Sequence, residues 1–488
     1  MPGSRKERHT RASALAWLDR RINFERAVPA SAAPGTFGLT RVRRLLAVIG
    51  NPHHEFPVVH VAGTKGKGST VAMLAAVLQA AGHRVGRYLS PHVDAIEERI
   101  CVGGRPISAA DLVRAFNVVI PAVEEMDRAA SRRGGSGPTW FEVLTAVAFV
   151  HFARARVDLA VLETGLGGRL DATNVSQPVL SIITSISLDH MHLLGSTVGQ
   201  IATEKAGIIK RGCPVISSAV HPEARRVIES TAARRRAPLV QLGRDFEAVY
   251  LPADVGDPLA DPLAPGRVAV TLVDAPTAQP LVFPLAMRGG HQAINAAVVV
   301  MAARSLDAQG IRVTDRAVAK GLSAVSLPAR IERIAEKPLV ILDAAHNVAS
   351  MESLVATLAP AALAFRPTVL LFAASADKQI TEMLTVARGH FDHVVITRYA
   401  TNPRAATVSQ LVEACRQAGL PAPQVTTAPA EALRLARSLA TPRGLVCVAG
   451  SFFLAAEIRA VMERPASVPV AERVNRLRQH RIDPSRLR

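Results

Sequence analysis

The sequence predicts an α/β fold with two domains, a larger one built on a mostly parallel sheet and a smaller, Rossmann-like one after it. Three observations carry this prediction. Apolar β-type runs alternate with helical patterns, a glycine-rich loop joins one run to a helix, and a second strand–helix series begins beyond a proline-containing segment at 328–338. Such alternation is typical of parallel sheets covered on both faces.

The first predicted domain comprises residues 1–327, and its elements follow from periodicity. The predicted strands are 57–62, 159–162, 179–184 and 214–217, and the predicted helices are 69–81, 141–154, 198–208 and 291–306. Between 246 and 284 the pattern changes to short β-type pieces separated by Pro, Gly and Asp. This change predicts an antiparallel edge or a subdomain.

The second predicted domain comprises residues 339–464, and segment 328–338, with two prolines and several charges, is the predicted linker. The strands expected in this domain are 339–344, 368–373, 393–397, 423–427 and 445–449. Residues 465–488 are rich in arginine and lack core-forming periodicity, so we expect a basic tail there.

Composition narrows the class of protein. The chain has 488 residues and a net charge of +18, but only 4% are aromatic. The charge fits nucleic-acid binding, an arginine-rich composition or an anionic substrate, and it does not decide among them. No apolar run reaches the length of a membrane span and the N-terminus lacks an apolar signal region. With four scattered cysteines, these features favour a cytoplasmic protein.

The glycine-rich loop runs from Gly63 to Ser69 with the sequence GTKGKGS. Glycines let backbone N–H groups approach phosphate oxygens, and the helix N-terminus adds favourable positive charge. Lys67 is expected to pair with the β- and γ-phosphates, and Ser69 or Thr70 to bind Mg²⁺. The spacing departs from the general phosphate-loop pattern because Gly68 follows the lysine. The alternative is a glycine-rich turn with a solvated lysine.

Together with further motifs, this loop resembles the Mur ligase superfamily and, within it, the folylpolyglutamate synthase/dihydrofolate synthase family. The similarity extends from about residue 13 to about residue 462. Only 62 residues precede Gly63, too few for the nucleotide-sugar domain of peptidoglycan ligases, which favours the folate branch. The motifs are HVAGTKGKGST from His60, SPH from Ser90, ERI from Glu98, TWFEVL from Thr139, LETGLGGRLDATN from Leu162, DH from Asp189, EKAG from Glu204, HQAIN from His291, PAR from Pro328, DAAHN from Asp343, DK from Asp377 and GS from Gly450.

The resemblance implies that the protein forms an amide bond with ATP. A pterin-bearing carboxylate, dihydropteroate or a folate, attacks the γ-phosphoryl group, and the amine of glutamate then attacks the acyl phosphate. The implied cofactors are ATP and two Mg²⁺ ions, with a monovalent cation also allowed by the resemblance. The implied partners are these small molecules only, with no nucleic acid and no membrane, and the family predicts a monomer.

The resemblance also assigns nucleotide-binding positions outside the loop. Asn295 is expected near the adenine. Arg330 is expected to reach ATP phosphates from the linker, and Asp343 to contact the nucleotide from the second domain. From the residues alone, the alternatives are a solvated charge for Arg330 and a structural hydrogen bond for Asp343. The full predicted nucleotide-binding set is Gly63, Thr64, Lys65, Gly66, Lys67, Gly68, Ser69, Thr70, Asn295, Arg330 and Asp343.

By the same resemblance, the metal-associated positions are Ser90, Glu163, His190 and Lys205. Glu163 ends a buried strand, where ligands of open α/β sheets collect, and its hard oxygens suit Mg²⁺. Lys205 corresponds to a lysine that is carbamylated in many superfamily members, a reaction that requires a neutral amine. The alternatives are a helix-capping carboxylate for Glu163 and a helix-surface lysine beside Glu204 for Lys205.

The remaining predicted roles concern catalysis and substrate binding. The predicted catalytic residues are Lys67, Lys205 and His346, of which His346 is expected to help place the incoming glutamate. Ser451 is a second glutamate-site candidate. The positions expected to face the pterin-bearing substrate are Thr139, Leu170, Asp171 and Ala172.

Two other hypotheses compete with the folate-branch ligase. One is a Mur-type ligase that joins an amino acid to a different carboxylate acceptor. The other is a non-enzymatic, ATP-dependent nucleic-acid-binding protein, motivated by the charge of +18. The latter leaves Glu163, His190 and Asp343 without a role.

Overall fold

A computed structural model describes residues 9–25, 37–132, 134–253, 261–274 and 279–462. The predicted basic tail, 465–488, therefore lies outside the described residues. The chain divides into two compact units, Met1–Leu327 and Pro328–Arg488. Among the described residues, no helix has both the length and the apolar character needed to cross a membrane.

The first unit is an α/β structure in which strands and helices alternate. Its strands are β1 (Val58–Ala62), β2 (Val85–Tyr88), β3 (Ile100–Val102), β4 (Arg105–Pro106), β5 (Leu159–Glu163), β6 (Pro178–Ile183), β7 (Val215–Ser217), β8 (Leu239–Gln241), β9 (Phe246–Leu251), β10 (Gly266–Leu272) and β11 (Leu281–Leu285). Its helices are α1 (Arg11–Asp19), α2 (Thr40–Val48), α3 (Lys67–Ala80), α4 (Ala109–Ser131), α5 (Trp140–Ala155), α6 (Met191–Leu194), α7 (Val198–Ala206), α8 (Pro222–Arg235), α9 (Gly290–Asp307) and α10 (Asp315–Ala324).

Eight of these strands form the main sheet, in the order β4-β3-β2-β5-β1-β6-β7-β8. The strands from β2 to β8 in that order pair in parallel, whereas β3 and β4 add an antiparallel edge. Strands β9, β10 and β11 form a separate antiparallel sheet. The predicted parallel sheet is confirmed, and the region 246–284 is the subdomain alternative, not an edge of the main sheet.

The helix that follows the glycine-rich loop, α3, is held inside this unit. Most of its residues from Ser69 to Leu78 are buried, including Val71, Met73 and Leu74. Its apolar side chains share one core with strands of the main sheet and with helices α9 and α10. Burial on nearly all sides fixes the helix N-terminus relative to the carboxyl end of β1, which is where the loop lies.

The second unit is a smaller α/β structure with one six-stranded sheet. Its strands are β12 (Glu332–Glu336), β13 (Leu339–Leu342), β14 (Thr368–Phe372), β15 (His393–Ile396), β16 (Gln424–Val425) and β17 (Leu445–Ala449). Its helices are α11 (Val348–Ala364), α12 (Ile380–Ala387), α13 (Val408–Gln417), α14 (Pro429–Ala440) and α15 (Phe452–Met462). The order is β12-β13-β17-β14-β15-β16, parallel except for β12.

The structure differs from the sequence prediction at segment 328–338. Residues Glu332–Glu336 of the predicted linker form edge strand β12, which pairs antiparallel with β13. The prolines that suggested a linker, Pro328 and Pro338, flank the strand, where they remove no hydrogen bond of the ladder. An edge strand also tolerates the charged residues that it contains.

Candidate active site

The glycine-rich loop is tied to the segment that follows β6. Thr64 N donates a hydrogen bond to Ser185 O at 2.8 Å, and Thr184 Oγ1 donates to Lys65 O at 2.6 Å. Thr64 Oγ1 is also 3.1 Å from Ser187 O. These hydrogen bonds hold the loop across the sheet from β1 to β6. Sequence reasoning missed Thr184 and its neighbours because their only signal is their place after a buried strand.

Two glycines of the loop are required by close contacts. A Cβ on Gly63 would lie 1.8 Å from Thr184 Oγ1, and a Cβ on Gly66 would lie 2.3 Å from Asn295 Oδ1. Gly66 caps α3 in a left-handed conformation, with φ of 81°. The contact with Gly66 places Asn295, on α9, directly against the loop. Glycine is therefore required at both positions by the close packing of Thr184 and Asn295 against the loop.

Lys67, Ser90 and Glu163 meet beside the N-terminus of α3. Glu163 Oε2 accepts a hydrogen bond from Ser90 N at 3.0 Å, and Glu163 Oε1 lies 3.9 Å from Lys67 Nζ. The side chain of Glu163 is buried, and an added Cβ on Gly68 would lie 3.5 Å from it. The structure thus brings together a predicted phosphate-binding lysine and two predicted metal-associated residues.

The donor set at this place fits Mg²⁺ and phosphate. Two buried hydroxyl oxygens, Thr70 Oγ1 and Thr164 Oγ1, have no hydrogen-bond partner among the described residues. Thr164 directly follows Glu163, and it was not predicted. Carboxylate and hydroxyl oxygens are the ligands that Mg²⁺ prefers, and orphaned buried hydroxyls are costly unless a ligand satisfies them.

Lys205 is a buried residue, so the alternative of a helix-surface lysine is wrong. Its Nζ donates to Gly63 O at 2.7 Å. Burial, together with the positive charge of Lys67, lowers the pKa of Lys205 to about 7. Its neighbour Glu204 pairs instead with Arg169 at 2.9 Å. Lys205 therefore presents a partly neutral amine next to the glycine-rich loop.

His190 is less closely tied to the other predicted metal positions. It caps the short helix α6 with φ of 50°, and its Nε2 lies 4.0 Å from Asp189 Oδ1. No group of three or more His, Cys, Asp or Glu side chains is placed to hold a metal within the described ranges. The predicted metal-associated positions include only two side chains of these types, Glu163 and His190, so this absence does not test them. The role of His190 stays a prediction.

Of the four positions expected to face the pterin-bearing substrate, two have side chains occupied by helix caps. Thr139 caps α5, with its hydroxyl accepting from Glu142 N at 3.3 Å. Asp171 caps the short helical turn Ala172–Val175 and is buried. Leu170 is half-buried on the loop before that turn. The expected contacts with a substrate stay predictions, and the structure gives the polar members a local structural role.

In the second unit, Asp343 organises the backbone around Arg330. Asp343 Oδ2 accepts from Ile331 N at 2.9 Å, and Oδ1 accepts from Ala345 N at 2.8 Å. Ala329 and Ile331, on either side of Arg330, have φ values of 53° and 48°. Burial raises the pKa of Asp343, while the charge of Arg330 opposes that rise. Arg330 is therefore held in a defined backbone conformation.

Phe452 contacts two predicted site residues of the second unit. The guanidinium carbon of Arg330 lies 4.6 Å from the centroid of its ring, and the ring of His346 lies 5.7 Å away. These contacts argue against a solvated charge at Arg330. His346 Nδ1 is 2.8 Å from Ala344 O, so Nδ1 carries the hydrogen. Sequence reasoning missed Phe452, whose only signal is its position after Ser451 at the start of α15.

Comparisons with known proteins place these features in one family. Residues 329–452 match the family "Mur ligase, glutamate ligase domain". The chain is 34% identical over 452 residues to dihydrofolate synthase/folylpolyglutamate synthase of Bacillus subtilis, covering 91% of this chain and 97% of that protein. It is 36% identical over 385 residues to the protein of the same name from Mycobacterium tuberculosis, covering 76% of each.

Solved structures agree with these relatives. The structure of Mycobacterium tuberculosis folylpolyglutamate synthase complexed with ADP superposes with a TM-score of 0.81 at 31% identity, covering 93% of this chain and 98% of that chain. The two-domain fold predicted from the sequence is that of this neighbour. By its sequence similarity over nearly its whole length, the chain belongs to the dihydrofolate synthase/folylpolyglutamate synthase family of ATP-dependent ligases.

Proposed function

We propose that this protein joins glutamate to a pterin-bearing carboxylate, dihydropteroate, a tetrahydrofolate or both, at the expense of ATP. The observation that carries the proposal is the cluster of Lys67, Glu163 and Lys205 around the glycine-rich loop. A phosphate cradle with a cation and a buried carboxylate beside it supplies groups that stabilise phosphoryl transfer, and Lys205 adds a partly neutral amine next to them. Membership in the family supports the choice of substrates.

The first step transfers phosphate to the acceptor. An oxygen of the acceptor carboxylate attacks the γ-phosphorus of ATP, the bond to the β,γ-bridging oxygen breaks, and ADP leaves. The backbone N–H groups of the loop and Lys67 bind the phosphates and offset their charge. Ser90, Glu163 and His190 would hold Mg²⁺, which supplies charge neutralisation between the two anions.

The second step forms the amide. The nitrogen of glutamate attacks the carbonyl carbon of the acyl phosphate, the bond from that carbon to the phosphate oxygen breaks, and the nitrogen loses a proton. With Nδ1–H donated to Ala344 O, a neutral His346 has its lone pair on Nε2 and can accept a hydrogen bond from glutamate. We assign Ser451 to the same substrate and Arg330 and Asp343 to the nucleotide.

Carbamylation of Lys205 is part of the proposal. The neutral amine attacks CO₂, a nitrogen–carbon bond forms, and a proton leaves, which converts a cation into an oxygen ligand for a second Mg²⁺. A pKa of about 7 supports this step because an ordinary lysine is almost fully protonated at neutral pH. Burial also protects the carbamate from water.

Domain roles, location and assembly follow the same proposal. Residues 1–327 would bind ATP and the acceptor, and residues 339–464 would contribute His346 and Ser451 to the glutamate site and Asp343 to the nucleotide site. A cytoplasmic location is supported by the four cysteines, which are all free and buried. We also propose that the protein acts as a monomer, as the family resemblance implies.

The decisive experiment compares three acceptors in parallel, each with ATP, Mg²⁺ and labelled glutamate. We expect a labelled product with dihydropteroate, with tetrahydrofolate or with both, and none with a nucleotide-linked muramic acid. Comparing the two pterin acceptors determines which activity the protein has. Failure with both pterin acceptors would overturn the proposal, and a product with the muramic acid acceptor would establish the alternative Mur-type ligase.

A further inference from the structure

A chain of buried side-chain hydrogen bonds joins β1 to the loop that follows β5. Thr173 Oγ1 is 2.5 Å from Asp171 Oδ1, and His60 Nε2 is 2.8 Å from Thr173 Oγ1. All three side chains are buried, with 0% exposure for His60 and Thr173. The mechanism proposed above uses neither His60 nor Thr173. We call this arrangement the His60–Thr173–Asp171 chain.

The direction of each hydrogen bond follows from the acceptor at its end. Asp171 also accepts from Leu166 N and Thr173 N, so its oxygens act as acceptors and the Thr173 hydroxyl donates to them. That hydroxyl can then only accept from His60, whose hydrogen must be on Nε2. Burial and the charge of Lys210 lower the pKa of His60 to about 3, which keeps the ring neutral. Burial also raises the pKa of Asp171, and the hydrogen bonds from Thr173 and Leu166 oppose that rise.

One end of the His60–Thr173–Asp171 chain lies on the strand that leads into the glycine-rich loop, and the other lies on the loop assigned to the acceptor. His60 lies on β1, three residues before Gly63, where the glycine-rich loop begins. Asp171 lies between Leu170 and Ala172, on the loop assigned to the acceptor. Asp171 Oδ2 accepts from Leu166 N at 2.9 Å and Oδ1 accepts from Thr173 N at 3.0 Å, so one carboxylate closes this loop.

The same contacts commit the Asp171 carboxylate to the conformation of its own loop. The residue is only 6% exposed, and both carboxylate oxygens already accept hydrogen bonds from its own loop. Withdrawing it toward a ligand would take this acceptor from the backbone N–H groups of Leu166 and Thr173 and from the Thr173 hydroxyl. The Asp171 carboxylate therefore holds the loop together.

We propose that the His60–Thr173–Asp171 chain is a positioning device that holds the acceptor loop, with Leu170 and Ala172, at a set place relative to the glycine-rich loop. His60 and Thr173 are then positioning residues for the acceptor, and Asp171 acts through the loop. This inference rests on the proposed function for the assignment of the loop to the acceptor.

The test uses Thr173→Val and Thr173→Ser as a matched pair. Valine keeps the shape but removes the hydroxyl, whereas serine restores it. We expect the KM for the acceptor to rise about tenfold in T173V, as a lost hydrogen bond to a charged group predicts. The KM for ATP and for glutamate should stay within about twofold of the wild type, and T173S should return the acceptor KM to within about threefold.

A second measurement is independent of substrate. Hydrogen exchange of the free protein should show faster exchange at Leu166 and Thr173 amides in T173V, with unchanged exchange at Thr70 in α3. If the wild type makes no product, the proposed function fails. Hydrogen exchange would still test whether the His60–Thr173–Asp171 chain holds the loop. Should T173V not fold, His60→Leu and His60→Gln form a second pair, because glutamine places an N–H donor near the position of Nε2.

Several results would overturn the positioning role. An unchanged KM for the acceptor in T173V would show that the His60–Thr173–Asp171 chain does not position the acceptor. Equal rises in the KM of all three substrates, or no recovery in T173S, would indicate general loss of structure. An unchanged exchange rate at Leu166 would show that the chain does not hold the loop.

Discussion

The glycine-rich loop of the first unit and the Arg330 segment of the second unit both contain backbone at positive φ, but different residue types adopt it. The loop has glycines at both of its positive-φ positions, Gly66 with φ of 81° and Gly63 with φ of 154°. The Arg330 segment has non-glycine residues in left-handed conformations on both sides, and one of them, Ile331, is β-branched.

The difference shows two ways to keep a backbone at positive φ. Glycine adopts these angles at little cost, so the loop needs only packing partners such as Thr184 and Asn295. A left-handed β-branched residue costs on the order of 1–3 kcal/mol, which the surrounding structure must offset. Asp343 supplies that support through its two hydrogen bonds to backbone N–H groups. The backbone angles of the first region follow from its own glycines, whereas those of the second depend on hydrogen bonds from the side chain of Asp343.

The largest effect is expected for Lys67→Ala, which tests whether the glycine-rich loop takes part in catalysis. Removing the cation should lower kcat/KM by about a thousandfold because charge on the transferring phosphate is no longer offset. Steady-state rates and circular dichroism measure activity and folding. Lys320→Ala, an exposed lysine of α10, is the control and should behave as wild type. Substantial turnover in well-folded K67A would contradict the assignment.

Lys205→Ala should lower activity on the order of a hundredfold, as expected for loss of a group that supports a metal. A short carboxylic acid such as acetate should restore part of it. In the wild type, activity should depend on CO₂ and rise as pH increases through about 7, because the neutral amine forms above its lowered pKa.

Lys210→Ala is the matched control for this prediction. Lys210 is also partly buried, with its pKa lowered to about 8, but its Nζ donates to Asn174 O. No carboxylic acid should rescue that variant. Equal rescue of both variants, or wild-type activity that ignores CO₂, would argue against carbamylation.

A comparison of Gly66→Ala with Gly82→Ala, at the two ends of α3, separates the effect of a steric contact from the effect of a positive φ. Both glycines have positive φ, 81° and 98°, but only Gly66 has a neighbour, Asn295, that a Cβ would touch. G82A should cost about 1 kcal/mol of stability. G66A should cost that and also lower activity by about tenfold through displacement of the loop. Equal activities in the two variants would show that the contact with Asn295 is unimportant.

Asp343→Asn tests whether the hydrogen bonds of Asp343 stabilise the left-handed backbone of the Arg330 segment. An amide NH₂ would face one of the backbone N–H groups, so we expect a loss of about 2 kcal/mol in unfolding free energy and a several-fold higher KM for ATP. Urea unfolding and initial rates measure these quantities. Glu413→Gln, an exposed change in the same unit, should alter neither. Unchanged stability in D343N would mean that the left-handed residues need no such support.

The smallest effect is expected for Phe452→Leu, compared with Phe453→Leu next to it. Loss of the ring under Arg330 should raise the KM for ATP about threefold to tenfold, since such contacts contribute roughly 1 kcal/mol. Phe453 packs on Tyr399 instead and should leave that KM unchanged. If both variants behave alike, the ring does not position Arg330.

The sequence anticipated most of the architecture around the loop. The strand, glycine-rich loop and helix at β1 and α3 are contiguous, so periodicity and glycine placement predict them. Glu163 was predicted at a strand end where ligands collect, and the structure adds that it lies 3.9 Å from Lys67. The strand within 328–338 was missed because its two flanking prolines are typical of a linker. Its pairing with β13 cannot be seen in the sequence. The capping roles of Thr139 and Asp171 were missed because the family resemblance indicated a substrate contact.

By itself, then, the sequence determined the α/β class, the glycine-rich loop, the family and the set of candidate residues, since each depends on local pattern or on similarity along the chain. Only the tertiary structure decided that Lys205 is buried against Gly63, that Asn295 packs on Gly66, that Phe452 lies under Arg330 and that His60 joins Asp171 through Thr173. The physical reason is that burial, pKa and hydrogen-bond partners arise from residues distant in the chain, and no local pattern records which of them meet.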